Sequence, residues 1–156
     1  MHIAVAADHN GLPLKAELVR RLAADGHDVI DRGSHLEGVV DYPLLCFAVC
    51  RLVVSGEADW GLVIGGSGQG EVIACNKVRG IRAGLGYSTF AAEISRGNND
   101  ANVLVLGAKV VTPELAFDVI TTWLETPFRG GVHQARLDQI AALESRPYPG
   151  EDWRQD

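Results

Sequence analysis

Short apolar runs alternate along this chain with longer segments in which apolar residues recur at helical spacing. The runs predict buried strands at residues 2–7, 28–31, 60–64, 82–86 and 102–106. The intervening segments predict helices at residues 13–24, 44–54, 71–77, 88–96 and 113–125. Strands that alternate with helices imply right-handed crossovers and a parallel sheet covered on both faces. The expected fold is therefore a Rossmann-like α/β three-layer sandwich.

Turn and cap residues mark the ends of these elements. Gly26 is placed to end the first helix, and Thr112-Pro113 to begin the helix that runs to residue 125. Tyr42-Pro43 lies in a predicted loop before the second helix. Ligands of parallel α/β sheets bind where the strands end. The candidate site is therefore expected at residues 8–9, 65–71, 87–88 and 107–109.

The composition fits one globular domain without a nucleic-acid partner. Of the 156 residues, 47% are apolar and 22% are charged, and the net charge of −6 leaves no basic footprint. Residues 1–144 are predicted to form the domain, and residues 145–156, with two prolines and many charges, a tail beyond it. No leader pattern precedes Ile3 and no apolar run reaches the length of a membrane span, so we expect a cytoplasmic protein.

The three cysteines, Cys46, Cys50 and Cys75, form neither a CxxC motif nor a pattern with paired histidines. An odd and sparse set in apolar surroundings predicts buried free thiols rather than a disulfide framework or a zinc site. Cys46 and Cys50 are four residues apart and would share one face of a helix.

The segment Gly65-Gly66-Ser67-Gly68-Gln69-Gly70-Glu71 carries the clearest chemical signal. Its four glycines allow backbone N–H groups to converge on an anion or an oxyanion. The spacing matches neither the dinucleotide fingerprint nor the P-loop. Glu71, which ends the segment, is either a charge at a helix N-terminus or a proton-transfer group.

Three other polar clusters are candidates, and the first two each allow two interpretations. Asp8 follows the first strand, where it either caps a turn and the next helix or contacts a ligand together with His9. Residues 96–102, here called the asparagine corner, contain three asparagines that suit either a polar turn or sugar hydroxyls. His133 and Arg136 share one face if their segment is helical, and a solvated surface is the usual meaning of such a pair.

The order of these motifs resembles the ribose-5-phosphate isomerase B / galactose-6-phosphate isomerase family. The similar segments are Ala7-Asp8-His9-Asn10-Gly11-Leu12-Pro13-Leu14-Lys15, Asp41-Tyr42-Pro43, Gly65 to Glu71 with Ile73-Ala74-Cys75-Asn76-Lys77, Gly80-Ile81-Arg82-Ala83, Asn99-Asp100-Ala101-Asn102-Val103-Leu104 and His133-Gln134-Ala135-Arg136. The resemblance covers residues 1–144 and leaves the tail outside.

This resemblance implies an aldose–ketose isomerase that needs no metal and no other cofactor. In the family, one base moves a proton between C1 and C2 through a cis-enediolate. The base is either a cysteine at the position of Gly65 or a glutamate at the position of Glu71, so this chain looks like the glutamate type. Burial near an apolar strand end would raise the pKa of Glu71 toward neutrality. Ser67 and the N–H groups of residues 66–70 would face the enediolate oxygen.

The resemblance also implies which residues hold a sugar phosphate. The expected contacts are Asp8, His9, Tyr42, Gly66, Gly68, Gly70, Asn98, Asn99, Lys109, His133 and Arg136. Tyr42 would line the pocket, Asn99 would hold a hydroxyl, and Lys109 and Arg136 would bind the phosphate. In the family each site is shared between the two subunits of a homodimer, and for this chain a dimer and a tetramer both stay open. The C-terminal helix and the asparagine corner would then reach a partner subunit.

Two departures from the family bear on the substrate. Members that act on ribose 5-phosphate usually have a ring-opening histidine where this chain has Asn98, and an amide cannot do acid–base work. Val132 stands where many members have another phosphate-binding arginine, so the phosphate site is thinner or rearranged. A tetrose 4-phosphate cannot close a five-membered ring and needs no ring opener. The leading hypothesis is the interconversion of D-erythrulose 4-phosphate and D-erythrose 4-phosphate.

Three alternatives stay open at this point. A ribose-5-phosphate isomerase would need His9 or a water as the ring-opening acid, or would use the small open-chain fraction of its substrate. Six-carbon phosphates are less favoured, because that branch of the family often pairs non-identical subunits. A non-catalytic sugar-phosphate sensor would not require the intact Glu71, Ser67 and Asp8.

Overall fold

The computed structural model describes residues 1–35 and 38–145. The strands are β1 (His2–Ala7), β2 (Asp28–Asp31), β3 (Trp60–Gly65), β4 (Ala83–Leu85) and β5 (Val103–Gly107). The helices are α1 (Leu12–Ala24), α2 (Tyr42–Ser55), α3 (Gln69–Cys75), α4 (Thr89–Gly97), α5 (Pro113–Glu125) and α6 (Val132–Ser145). All strand pairs are parallel, in the order β2-β1-β3-β5-β4, so the predicted fold class is confirmed.

Two apolar cores, one on each face of the sheet, explain why helices cover both faces. Ile3, Val5 and Ala7 of β1 pack in the core that α1, α4 and α5 complete. Ala4 and Ala6, which alternate with them, pack in the core that α2 and α3 complete. The central strands β1, β3 and β5 are therefore buried on both faces, which is why their sequences read as continuous apolar runs.

Most predicted element ends agree with the structure, and two differences concern the site. α2 begins at Tyr42 rather than at residue 44, because Pro43 is compatible with the first turn of a helix. α3 begins at Gln69, so Glu71 lies inside its first turn. Gly26, with a φ of 83°, follows α1, and the Thr112 side chain accepts a hydrogen bond from the Leu115 N–H at 3.2 Å, both as predicted.

The cysteines are buried and free, as predicted. Cys46 and Cys50 lie on the inner face of α2, in the same core as Cys75 of α3. Within the described residues, no helix is both long enough and apolar enough to span a membrane. Of the predicted tail, Ser145 ends α6 and residues 146–156 lie outside the described part of the chain.

The sheet changes its direction of winding between β1 and β3. From β1 the chain passes to β2 on one side, and then crosses back to β3 on the other side. The loops that follow β1 and β3 therefore diverge and leave a crevice at the carboxyl ends of the strands, here called the carboxyl edge of the sheet. The loop after β1 carries Asp8 and His9. The glycine-rich segment at residues 65–71, here called the glycine loop, follows from the end of β3 into α3.

Candidate active site

The side chain of Glu71 lies in the crevice between the ends of β1 and β3. Glu71 is only 4% exposed, although it belongs to the first turn of α3. A carboxylate that serves only as a favourable charge at a helix N-terminus gains nothing from burial, which penalises its ionised form. The helix-terminal interpretation alone is therefore insufficient for Glu71.

Gly65 leaves open the space that the Glu71 carboxylate fills. A Cβ atom placed on Gly65 would lie 1.9 Å from Glu71 Oε1 and 2.6 Å from Glu71 Oε2, far inside van der Waals contact. A side chain at position 65 and this carboxylate therefore exclude each other. The family resemblance implied a base at either position 65 or position 71, and the geometry gives a steric reason for that alternative.

The surroundings of Glu71 raise its pKa above the ordinary value. Burial is the largest cause, and the neighbouring charge of Asp8 acts in the same direction. A hydrogen bond from the backbone N–H of Glu71 opposes them without reversing the shift. A carboxylate with a raised pKa is a stronger base than an ordinary one, and it suits the removal of a proton next to a carbonyl.

Asp8 is 6% exposed and closes the turn between β1 and α1. Its Oδ1 accepts the N–H groups of Asn10 and Gly11, at 2.9 and 3.1 Å. The predicted turn is therefore confirmed. The predicted capping of the helix by Asp8 is wrong. Gly11 occupies the N-cap position, and the Asp8 carboxylate accepts its hydrogen bonds within the turn before it.

Asn10 holds both neighbouring side chains at the crevice. Its Nδ2 donates to Asp8 Oδ2 at 3.1 Å and lies 3.1 Å from His9 Nε2. Asn10 also packs against the glycine loop, since a Cβ on Gly66 would lie 3.4 Å from its amide. The predicted site residues did not include Asn10. The signal for it is the Asx-type turn, which brings the second residue after an aspartate back onto that carboxylate.

Backbone hydrogen bonds fix the glycine loop against the segment that follows β5. The N–H groups of Ala108 and Lys109 donate to the carbonyls of Gly65 and Gly66, at 2.8 and 2.9 Å. These bonds place the backbone of the exposed Lys109 beside the loop, and its phosphate contact stays a prediction.

Tyr42 covers the other side of the loop. A Cβ on Gly70 would lie 2.4 Å from Tyr42 Oη, so glycine at position 70 permits this close contact. Gly68 adopts a φ of 79°, which favours glycine. Ser67 is exposed at the tip of the loop, and its Oγ accepts the Gln69 N–H at 3.3 Å.

The asparagine corner lies at the amino ends of the strands, here called the opposite edge of the sheet. It precedes β5, whereas the glycine loop follows β3. A strand rises about 3.3 Å per residue. The six residues of β3 and the five of β5 therefore separate the two edges by roughly 17–20 Å. Within one chain, Asn98 and Asn99 do not meet Glu71.

Comparison with known proteins gives a consistent result. A family model described as Ribose/Galactose Isomerase matches residues 3–140. The chain is 42% identical over 144 residues to ribose-5-phosphate isomerase B of Escherichia coli, covering 92% of this chain and 97% of that protein. It is 35% identical over 156 residues to ribose-5-phosphate isomerase B of Mycobacterium tuberculosis, covering 96% of each. The solved structure of Clostridium thermocellum ribose-5-phosphate isomerase B superposes with a TM-score of 0.91 at 45% identity, covering 92% of this chain and 97% of that one.

This chain belongs to the ribose/galactose isomerase family. The predicted family and the predicted enzyme class, an aldose–ketose isomerase, are thereby confirmed. The residue roles that the resemblance implied stay predictions.

At the asparagine corner of this isomerase, part of the polar cluster is structural. Asp100, with a φ of 45°, accepts hydrogen bonds from Arg82 and Arg96, both at 2.8 Å. Asn102 Oδ1 accepts the Arg82 N–H at 2.9 Å. The polar-turn interpretation is therefore confirmed for Asp100 and Asn102, while Asn99 is exposed and free to face a ligand from outside.

Asn98 and the start of α6 are joined by a residue that the sequence predictions missed. Arg129 Nη1 donates to Asn98 Oδ1 at 2.9 Å. α6 begins three residues later, so the half-buried His133 and the exposed Arg136 are on the helix that leaves this corner. Arg129 gave no sequence signal, because its contact spans 31 residues and its neighbours Gly130 and Gly131 indicate only a turn.

Proposed function

We propose that this protein interconverts D-erythrulose 4-phosphate and D-erythrose 4-phosphate, with Glu71 as the proton-shuttling base. The observation that carries the proposal is the buried Glu71 carboxylate, seated in the space left by Gly65 and beside Asp8. Ionised Glu71 removes a proton from the carbon next to the carbonyl, which leaves an enediolate. Protonated Glu71 then returns that proton to the former carbonyl carbon, while the hydroxyl proton of the first carbon passes to the former carbonyl oxygen, so that the hydroxyl oxygen becomes the new carbonyl.

The enediolate carries a negative charge that the glycine loop is suited to hold. Ser67 Oγ and the backbone N–H groups of residues 66–70, apart from the Gln69 N–H that donates to Ser67 Oγ, would donate to the charged oxygen, which lowers the barrier to proton removal. The loop is rigid enough for this purpose, because hydrogen bonds to residues 108–109 and the contact between Gly70 and Tyr42 fix it on both sides. Asp8 and His9, held by Asn10, would contact the substrate hydroxyls next to Glu71.

One chain does not bring all the predicted substrate-binding residues to the carboxyl edge. Lys109 lies beside the glycine loop, whereas Asn98, Asn99, His133 and Arg136 belong to the opposite edge or to α6. We therefore propose a homodimer in which the asparagine corner and α6 of one subunit complete the crevice of the other. Exposed apolar side chains provide surface that a second copy would cover. They are Leu44, Phe47, Ile73 and Phe90.

The choice of a tetrose phosphate rests on position 98. A tetrose 4-phosphate stays open-chain, because its C4 oxygen is phosphorylated and cannot attack C1. Asn98 cannot transfer a proton, so an enzyme with this residue has no ring opener at that position. For an open-chain substrate, none is needed.

The second candidate is a ribose-5-phosphate isomerase, which the names of the relatives favour. A Mycoplasma genitalium relative, with a TM-score of 0.87 at 34% identity and covering 92% of this chain and 95% of that one, was solved with bound ribulose-5-phosphate. Ribulose 5-phosphate is itself open-chain, because its C5 oxygen is phosphorylated. Only ribose 5-phosphate, which closes through its C4 oxygen, requires ring opening.

Steady-state kinetics on the two ketose phosphates tests the proposal. The purified protein is assayed with D-erythrulose 4-phosphate and with D-ribulose 5-phosphate under one set of conditions. We expect a higher kcat/KM for the tetrulose, and a clear preference for the pentulose would replace the tetrose by the second candidate. If neither these nor six-carbon phosphates are isomerised, while calorimetry still detects sugar-phosphate binding, the protein is a sensor.

A further inference from the structure

Arg129 is built into the asparagine corner through its backbone and its side chain. Its N–H donates to the Gly97 carbonyl at 2.9 Å. Its guanidinium lies against Gly97, where a Cβ would be only 3.2 Å from Arg129 Nε. One terminal nitrogen donates to Asn98 Oδ1 at 2.9 Å, and the other is paired with Glu93. None of the predicted site roles accounts for these four contacts.

The bond to Arg129 determines how the Asn98 amide is turned. A guanidinium only donates hydrogen bonds, so the atom of Asn98 that faces Arg129 must be the oxygen. The NH2 group of Asn98 then points away from Arg129. Asn98 is half-buried, so part of the residue is accessible from outside the chain.

We infer that Arg129 is a positioning residue that fixes Asn98 as a hydrogen-bond donor to the substrate, and that Asn98 and Arg129 together restrict the enzyme to open-chain sugar phosphates. The inference rests on the proposed function, in which Asn98 faces the crevice of the partner subunit. It extends that function by assigning specificity to a pair of residues rather than to position 98 alone.

The pair matters because a histidine at position 98 would inherit the same neighbour. Arg129 would donate to one ring nitrogen, and only a neutral imidazole has a nitrogen that can accept. The contact would therefore oppose the protonated ring that a ring-opening acid must supply. The neighbouring carboxylates do not offset this effect, because each is already paired. Glu93 is paired with Arg129, and Asp100 with Arg82 and Arg96.

Ring opening can be measured separately from isomerisation. Without a ring opener, the rate from ribose 5-phosphate stops rising with enzyme concentration once spontaneous ring opening becomes limiting. The rate from ribulose 5-phosphate keeps rising, because that substrate is already open. The plateau thus reports on ring opening and is insensitive to a general loss of activity.

The test compares the native protein with Asn98→His, Arg129→Gln and the double variant, each checked for folding by circular dichroism and thermal melting. Arg20→Gln is the matched control, since Arg20 is also paired with a glutamate but lies exposed on α1. We expect a plateau with the native protein and with Asn98→His, and no plateau with the double variant. Arg129→Gln alone should raise KM for D-erythrulose 4-phosphate about tenfold, the size of one hydrogen bond, with a smaller change in kcat.

Three results would overturn the inference while the proposed function stands. They are a native rate from ribose 5-phosphate that rises without a plateau, loss of the plateau in Asn98→His alone, and an unchanged KM in Arg129→Gln. A native protein that turns over ribulose 5-phosphate but not D-erythrulose 4-phosphate contradicts the proposed substrate directly. Its ribose 5-phosphate plateau still decides whether the pair excludes ring opening.

Discussion

The two edges of the sheet differ in how completely one chain builds them. At the carboxyl edge, Asp8 and Glu71 are almost fully buried, and contacts within the chain hold the loops that carry them. At the opposite edge, Arg96 and Asp100 stabilise the asparagine corner, while Asn98 is half-buried and bonded to Arg129, and Asn99 is exposed. In the proposed dimer, the first edge performs the proton transfer and the second recognises the substrate. Specificity can then change at positions 98, 129 and 132 without disturbing the base.

Replacing Glu71 by glutamine tests the carboxyl edge most severely. We expect kcat to fall about 10³-fold, because a positioned general base contributes on that order. The free energy of unfolding, by contrast, should rise. Because burial raises the pKa of Glu71 in the folded state, its ionised form lowers the free energy of unfolding at neutral pH, and glutamine removes this penalty. Enzyme assays and urea denaturation at pH 7 measure the two effects.

The pH dependence of that stability gain is an internal check. The penalty is present above the folded-state pKa of Glu71 and disappears as the pH falls below the unfolded-state value, where both states are protonated. The difference between native protein and variant should shrink over the same range. Glu57→Gln, an exposed glutamate, should change neither property. Activity within a few-fold of native in Glu71→Gln would remove Glu71 from the mechanism.

Adding a single methyl group at position 65 should have the next largest effect. In Gly65→Ala the new Cβ would overlap Glu71 Oε1, so the carboxylate must move. A displacement of about 1 Å in a reacting group can lower the rate about 10²-fold, and the overpacking should cost about 1–3 kcal/mol of stability. Gly38→Ala is the matched control, because nothing lies within 4 Å of a Cβ there. Native-like kcat in Gly65→Ala would show that the carboxylate has room elsewhere and still works.

Mixing two impaired variants tests whether the two edges come from different subunits. Glu71→Gln disables the carboxyl edge, and Arg136→Ala weakens the opposite one. In a mixed dimer with shared sites, one site contains both changes and the other contains neither. Random pairing of equal amounts should therefore restore about a quarter of native activity. Subunits are exchanged by mild denaturation and refolding, and each variant refolded alone is the control. No recovery after verified exchange would mean that each chain builds its own site.

The carboxyl edge was largely predictable from the sequence, because its signals are local. Uninterrupted apolar runs fixed the order of strands and helices, and the ends of β1 and β3 located the crevice. The spacing of its four glycines was enough to predict the glycine loop as an anion or oxyanion site. What remained open was the burial of Glu71, since whether a side chain at a helix start turns inward depends on the space beside Gly65, and that space is set by tertiary packing.

The opposite edge was less predictable, because its contacts join distant residues. Three asparagines in seven residues allowed a turn or a binding surface, and the structure places Asn102 in the turn and leaves Asn99 exposed. The contact between Arg129 and Asn98 left no pattern in the sequence. Asn10 was recoverable in principle from the turn geometry, whereas Arg129 was not.

A smaller effect distinguishes the electrostatic role of Asp8 from its contacts with substrate. The charge of Asp8 helps to raise the pKa of Glu71, so Asp8→Asn should lower that pKa and keep Glu71 ionised at lower pH. The acidic limb of the kcat/KM profile should therefore move to lower pH, whatever happens to the maximum rate. Asp28→Asn, which changes an exposed carboxylate bound to His2, should leave the limb in place. A limb that stays fixed in Asp8→Asn would leave burial alone as the cause of the raised pKa and confine Asp8 to the turn and the substrate.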